Sequence, residues 1–218
     1  MMRMRFIEAE NFWAYKTILH PDEFHTLNSR AKALAFTVSG VNDMDLIVFV
    51  YRTLTKALRE GTTSATFKKD VLPAFEAEGG ISRARLETIF RTNIQSAFMA
   101  GRYAQLMQGR LMTWWRYSAV NDSRTRPTHR ALNGIVRHRD DPFWDVFFPP
   151  NGFNCRCSVF PTAKPGNPES GIPDMIEPVD PRTGQAGLPV RPWPDRGFDT
   201  NVGKDWLAGL TLDQANRC

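Results

Sequence analysis

Two cysteines separated by a single residue, Cys155 and Cys157, are the side chains best suited to chemistry in this 218-residue sequence. Two histidines, His129 and His138, precede them. Zn²⁺ takes thiolate and imidazole ligands in tetrahedral sites, so these four residues are candidate ligands of one structural zinc ion. The spacing is unusual, because alternation along a strand is expected to direct the two thiols apart. The alternative is one cysteine in a strand core and the other facing a loop, with no cofactor.

A second polar group lies in the run from Asp122 to His129, which also contains Arg124, Thr125 and Arg126. A carboxylate, two guanidinium groups and an imidazole this close together suit an acid/base site or a phosphate clamp, and hence a nuclease or nucleotide-transferring enzyme. The favoured interpretation is structural, with Asp122 and Thr125 capping turns and His129 packing against tryptophans. In that case the arginines pair with downstream aspartates, namely Asp140, Asp141 or Asp145. The sequence contains no Gly-rich phosphate loop and no zincin motif.

The middle of the chain is basic and uses arginine alone. Residues 101–160 contain nine arginines, no lysine and four aspartates, a net charge of +5 within a chain whose total is +5. Arginine makes planar, bidentate contacts with phosphates and carboxylates. The basic middle is therefore compatible with contact to double-stranded DNA or to an acidic partner protein, and also with arginines used for internal or subunit ion pairs. The candidate contact residues are Arg102, Arg110, Arg124, Arg126, Arg137 and Arg139.

Bulky aromatic residues surround these polar groups. Aromatic side chains beside arginine can stack on unpaired bases, but a compact aromatic core is the favoured interpretation. The set consists of Trp114, Trp115, Tyr117, Phe143, Trp144, Phe147 and Phe148.

The elements that must position these groups follow from hydrophobic periodicity. Helices are predicted at 8–16, 22–36, 43–60 and 67–78, and a long amphipathic helix at about 83–110. Short strands are predicted at 117–121 and 155–160, and nine of the fifteen prolines follow residue 160. The predicted fold class is therefore α+β: an N-terminal helical bundle (1–80), a core with the long helix and a small mixed α+β region (81–160), and an extended Pro-rich C-terminal arm (161–218).

The chain shows no sign of a membrane segment or a secretory signal. Its longest apolar run, Leu46 to Tyr51, is far too short to cross a bilayer. The first eight residues include arginines and a glutamate, not an apolar segment of secretory length. The third cysteine, Cys218, is remote from the other two, so a disulfide scaffold is not expected. We expect no membrane partner and synthesis in a cytoplasm.

Several ordered blocks of the sequence resemble the phage Mu F-like head morphogenesis family. They include Arg91-Thr92-Asn93, the run from Tyr117 to Arg126 followed by His129, Asp141-Pro142-Phe143-Trp144, Pro149-Pro150-Asn151-Gly152-Phe153-Asn154-Cys155-Arg156-Cys157, and the late run from Gly197 to Gly203. The late run departs from the family pattern, because Val202 replaces a proline.

The resemblance implies a structural protein and no enzyme, with no catalytic residue to transfer. Family members act in head morphogenesis of tailed phages or prophages, so the implied partners are the portal and/or the major capsid protein. The implied location is the capsid interior of the virion, after synthesis in the host bacterial cytoplasm. The residues carried over as a structural motif are Asp122, Thr125, His129, Trp144, Pro150 and Gly152.

Overall fold

The computed structural model describes residues 5–166, 171–179 and 183–215. They form two compact units, the first built from residues up to Gln105 together with those from Val202 onward, and the second from Leu106–Asn201. The predicted α+β class is confirmed. The division differs from the three predicted segments, because most of the long helix buries its apolar face among the N-terminal helices.

The first unit is helical. Its helices are α1 (Ile7–Tyr15), α2 (Pro21–Thr26), α3 (Ser29–Ala33), α4 (Met44–Glu60), α5 (Ser64–Val71), a 3₁₀ helix (Leu72–Glu78), α6 (Arg83–Gln108), whose last residues enter the second unit, and α9 (Val202–Ala215). Two short strands, β1 (Thr17–Ile18) and β2 (Ala35–Phe36), pair in parallel.

Helix α4 shows how local sequence sets the boundaries of an element. The Asp43 carboxylate accepts hydrogen bonds from the backbone N–H groups of Asp45 and Leu46, at 2.8 and 3.2 Å, and so caps the first turn. Gly61 ends the helix in the left-handed conformation at φ 60°, which glycine adopts without steric cost. The prediction of a helix at 43–60 is therefore confirmed.

The core of the first unit forms where α1, α4 and α6 meet. Trp13 stacks on Tyr51 with ring centroids 4.9 Å apart, and its indole N–H donates to the Thr55 hydroxyl at 2.9 Å. Between α1 and α6, a Cβ added to Gly101 would lie only 2.6 Å from the Ala9 backbone nitrogen. Helix α6 therefore approaches α1 at a distance that only glycine permits.

The second unit contains a three-stranded antiparallel sheet. Strand β3 (Trp114–Ser118) lies between β4 (Val136–His138) and β5 (Ser158–Thr162). The register pairs Trp115 with Arg137 and with Pro161. Two short helices, α7 (Pro127–Ala131) and α8 (Phe143–Phe147), complete the unit.

Aromatic side chains fill the core of this second unit. Trp115 and Tyr117 share one face of β3 and are both fully buried. Trp115 packs on Trp144 and Phe148, with centroids 5.7 and 6.0 Å away. The prediction of an aromatic core is thus confirmed, while Trp114 lies at its edge against His138.

The prediction of an extended arm over residues 161–218 is wrong for its last part. Residues 202–215 form helix α9, and Trp206 is buried in the core of the first unit. The nine prolines of this region all lie between Pro161 and Pro194, so nothing interrupts a helix beyond them. Val202 takes the first helical position, where proline is also well suited.

Candidate functional site: a Cys-Cys-His cluster supported by an arginine–carboxylate pair

Helix α7 and the segment before β5 bring three buried side chains together. His129 comes from α7, which begins at Pro127, and Cys155 and Cys157 come from the segment that leads into β5. The His129 Nδ1 atom lies 3.7 Å from the Cys155 sulfur and 3.5 Å from the Cys157 sulfur. The three ligand-type atoms all lie within 4.8 Å of one another.

The expectation that the two cysteines point apart is wrong, because both are buried and both face His129. Side chains at positions i and i+2 of an extended segment share one face, so one intervening residue brings the thiols together. That intervening residue, Arg156, is half-buried and bonds elsewhere. The remaining predicted ligand, His138, is outside this cluster and packs edge-on against Trp114.

The two thiols titrate as a tightly linked pair. A hydrogen bond from Cys157, with a further contribution from His129, holds the pKa of Cys155 well below its ordinary value. The hydrogen bond to Cys155, together with burial, raises the pKa of Cys157. Burial also raises the pKa of Tyr117, and the neighbouring cysteine sulfurs add to this effect. The surroundings thus favour the thiolate form of Cys155 over that of Cys157.

Asp122 holds the cluster from the other side of the cysteine segment. Arg156 donates two hydrogen bonds to the Asp122 carboxylate, at 2.7 and 2.6 Å. Asp122 also accepts from the Arg124 backbone N–H at 3.0 Å and from the Thr125 hydroxyl at 3.2 Å. These bonds, above all those from Arg156, hold the pKa of Asp122 well below its usual range. The predicted turn-capping role is confirmed for Asp122, whereas the Thr125 hydroxyl donates to the Asp122 carboxylate.

A second ion pair lies over Gly152. Arg126 donates to the Phe153 carbonyl at 2.9 Å and lies 3.3 Å from the Asp195 carboxylate. A Cβ at Gly152 would meet both charged groups at less than 2.5 Å, so glycine is required for this approach. The expectation that Arg126 pairs with one of the aspartates at 140–145 is therefore wrong. The contact with Asp195 spans about seventy residues of chain.

The other predicted motif residues fix the aromatic core. The Trp144 indole N–H donates to the His138 carbonyl at 3.0 Å, and the Trp144 carbonyl accepts from the buried Asn201 side chain at 3.0 Å. Pro150 is buried and follows a cis peptide bond. The next residue, Asn151, is also buried, and its side-chain amide donates to the Phe147 carbonyl at 3.3 Å.

The six predicted contact arginines fall into two groups. Arg110 and Arg124 are exposed, while the others are half-buried or buried. Arg137 lies 3.8 Å from Asp141, Arg139 lies 3.9 Å from Asp140, and burial lowers the pKa of Arg102. Arg137 and Arg139 therefore act within the fold, and Arg110 and Arg124 present charge at its surface.

Sequence reasoning missed the residues that complete the site. Arg156 and Asp195 are the ion-pair partners of Asp122 and Arg126, and Asn201 is the partner of Trp144. A weak signal existed for Arg156, since a charged residue between two buried cysteines needs a counter-ion. Nothing local marks Asp195, and Asn201 was marked only as part of the late run from Gly197 to Gly203.

These features define a class of protein: a helical unit whose chain continues into a small antiparallel α+β unit with a buried Cys-Cys-His cluster. The chain belongs to the family described as Phage Mu protein F like protein, whose profile matches residues 50–160, about half of the chain. The matched region begins inside α4 and ends in β5.

Two curated proteins are similar to most of this sequence. The "Putative capsid assembly protein F" of Escherichia phage Mu is 38% identical over an alignment of 148 positions, which covers 59% of this chain and 34% of that protein. The "Mu-like prophage FluMu F protein" of Haemophilus influenzae is 37% identical over an alignment of 144 positions, which covers 59% of this chain and 35% of that protein. The matched region therefore spans only about a third of each relative. No solved structure matches the chain significantly.

Proposed function

We propose that this chain is a structural protein of phage head assembly, acting in a tailed phage or prophage. The observation that carries the proposal is membership of the Mu F-like family, together with a relative named as a capsid assembly protein. The site geometry supports a structural role, because Asp122 and Arg126, the groups that an acid/base site or phosphate clamp would use, are engaged in ion pairs within the fold.

The proposed partners are other head proteins, namely the portal and/or the major capsid protein. Among the six predicted contact arginines, Arg110 and Arg124 are the exposed ones, and they can meet an acidic partner surface or DNA. We place the protein in the capsid interior of the virion. No helix among the described residues combines the length and the hydropathy that crossing a membrane requires.

The experiment that tests the role is fractionation of phage particles. Lysates from an induced lysogen are separated into proheads, mature virions and soluble protein, and the chain is quantified in each by mass spectrometry. The expected result is that it co-purifies with proheads or virions, and that deleting its gene abolishes infectious heads. Absence from both particle fractions, with normal heads in the deletion strain, would overturn the proposal.

A double charge-reversal variant tests whether the exposed arginines contact a partner protein. The double variant R110E/R124E should enter proheads less efficiently than the wild type, because it reverses the charge of the two predicted contact arginines that are exposed. The matched control is R52E/R83E, which makes the same change of charge at exposed positions of the first unit. Equal incorporation of both variants would show that this surface is not the docking surface.

A further inference from the structure

The cluster of His129, Cys155 and Cys157 meets the geometric requirement of a tetrahedral metal site. Zn–S bonds of about 2.3 Å and a Zn–N bond of about 2.1 Å at tetrahedral angles place nitrogen and sulfur about 3.6 Å apart. The observed separations of the His129 Nδ1 atom from the two sulfurs are 3.5 and 3.7 Å. Both sulfurs lie on the same side of their segment, so no backbone movement is needed for them to reach one ion.

Charge and burial favour a divalent ion that prefers sulfur and nitrogen. Two thiolates neutralise one Zn²⁺ ion, so the bound cluster carries no net charge in an environment where all three residues are buried. Arg156, which separates the two cysteines, already has its counter-ion in Asp122 and does not repel the metal through an unpaired charge. Hard cations such as Mg²⁺ and Ca²⁺ require oxygen ligands, which the cluster does not supply.

The surroundings are those of a ligand site. The Asn151 backbone N–H donates a hydrogen bond to the Cys155 sulfur, as backbone amides do around metal-bound thiolates. The imidazole presents its Nδ1 atom to both sulfurs. The three residues also line a cavity of about 90 Å³, large enough for an ion and one water molecule.

We propose that His129 Nδ1, Cys155 Sγ and Cys157 Sγ bind one Zn²⁺ ion, with a water molecule as the fourth ligand. The ion ties α7 to the segment before β5, two parts of the chain that are 26 residues apart. It thereby stabilises the second unit at the point where α7 lies against the segment before β5. This proposal concerns the second unit alone and does not depend on a role in head assembly.

The test begins with metal content. The full chain is purified under reducing conditions without added metal, and its zinc content is measured by plasma mass spectrometry against protein concentration. About one zinc per chain is expected for a single site. X-ray absorption at the zinc edge should then show two sulfur and two nitrogen or oxygen neighbours. Zinc coordinated by any other number of sulfurs would overturn the ligand assignment.

Reconstitution with metal distinguishes a protein that does not bind zinc from one that lost its zinc during purification. The apoprotein, with its thiols confirmed as reduced by titration, is mixed with Co²⁺, and the thiolate-to-cobalt charge-transfer band and tetrahedral d–d bands are recorded. Both are expected at one equivalent, and Zn²⁺ should displace the cobalt. Reduced protein that binds neither metal would overturn the proposal.

Variants assign the ligands. Cys155→Ser, Cys157→Ser and His129→Asn should each lose the stoichiometric metal, whereas the controls Cys218→Ser and His138→Asn should retain it. If a ligand variant does not fold, chelator-induced melting of the wild type provides the second measurement: removal of the zinc should lower the melting temperature, and re-addition should restore it. Retention of one metal by all three ligand variants, or loss in the controls, would contradict the assignment.

Discussion

Arg156 bonds to Asp122 across 34 residues of chain, and it does so from between the two cysteines that face His129. One side of the segment therefore carries an ion pair and the other carries the thiol cluster. The pair fixes the rotation of the segment about its own axis, and this rotation determines where both sulfurs lie. Asp122 is thus a positioning residue for Cys155 and Cys157.

This relationship predicts the effect of replacing Arg156 by lysine. Lysine keeps the charge but cannot donate two parallel hydrogen bonds to one carboxylate, so the turn at 122–125 should loosen. The measurement is amide hydrogen exchange at Arg124 and Thr125, which should become faster in Arg156→Lys. The control is Arg130→Lys: Arg130 donates to the Asp122 carbonyl and not to its carboxylate. Equal protection in the wild type and in Arg156→Lys would contradict the positioning role.

The first unit contains a carboxylate whose ionisation should be visible in the stability of the protein. Hydrogen bonding from Lys68, with further contributions from Arg91 and Ser64, lowers the pKa of Glu87 from 4.5 to about 2. Because the pKa of Glu87 is lower in the folded protein than in the unfolded protein, the ionised carboxylate stabilises the fold at pH values above about 4.5. This contribution is lost as the pH falls from about 4.5 to about 2.

Glu87→Gln should remove that pH dependence. At neutral pH the free energy of unfolding should fall by about 1–3 kcal/mol, the range that remains after solvent screening of a partly exposed group. Below about pH 2 the variant and the wild type should converge. Denaturant titrations at several pH values measure this, with the exposed Asp70→Asn on α5 as the control. Parallel stability curves for wild type and Glu87→Gln would contradict the prediction.

The close approach of α6 to α1 predicts that replacing a helical glycine by alanine lowers the free energy of unfolding here, although the same change usually raises it. Replacing glycine by alanine inside a helix normally stabilises it by about 0.5–1 kcal/mol. At Gly101 the added methyl would overlap the Ala9 backbone, so Gly101→Ala should instead lower the free energy of unfolding by about 1–3 kcal/mol. Thermal unfolding measures this, with the exposed Gln108→Ala on the same helix as the control. A stabilised Gly101→Ala protein would show that α6 does not contact the Ala9 backbone at Gly101.

Contact with DNA makes a separate prediction about salt. If the exposed Arg110 and Arg124 each neutralise one phosphate, the slope of log affinity against log salt should become shallower by about two in the double variant R110E/R124E. Fluorescence anisotropy with a labelled duplex at several salt concentrations measures this slope, and R52E/R83E is the charge-matched control. No binding at low salt by the wild type would remove the DNA contact and leave the head-assembly proposal in place.

Elements with local signals at both ends could be predicted from the sequence. Helix α4 has a carboxylate cap at Asp43 and a left-handed glycine at Gly61, and both signals lie next to the helix they delimit. The predicted helix at 22–36 is wrong in its middle and at its end. The Asn28 side chain caps a new helix by accepting from the Ala31 N–H, and Ala35–Phe36 instead pair with a strand nearly twenty residues earlier.

The candidate site could likewise be predicted only where the signal lies in neighbouring residues. The residue types at Asp122, His129, Cys155 and Cys157 were identifiable because they are rare polar groups in one region. Their partners were not, because an ion pair such as Arg126–Asp195 depends on how the chain folds back and leaves no periodic pattern. The placement of both thiols on one side follows from strand geometry and was available in principle from the sequence.

The discontinuous make-up of the first unit has a consequence for the order in which the chain folds during synthesis. Helix α9 supplies Trp206 to a core whose other members precede residue 105, so this core cannot close until the ribosome has passed α9. Residues 106–201 emerge completely before that point. The aromatic sheet unit can therefore complete its fold first, although more than a hundred residues of the helical unit were made earlier.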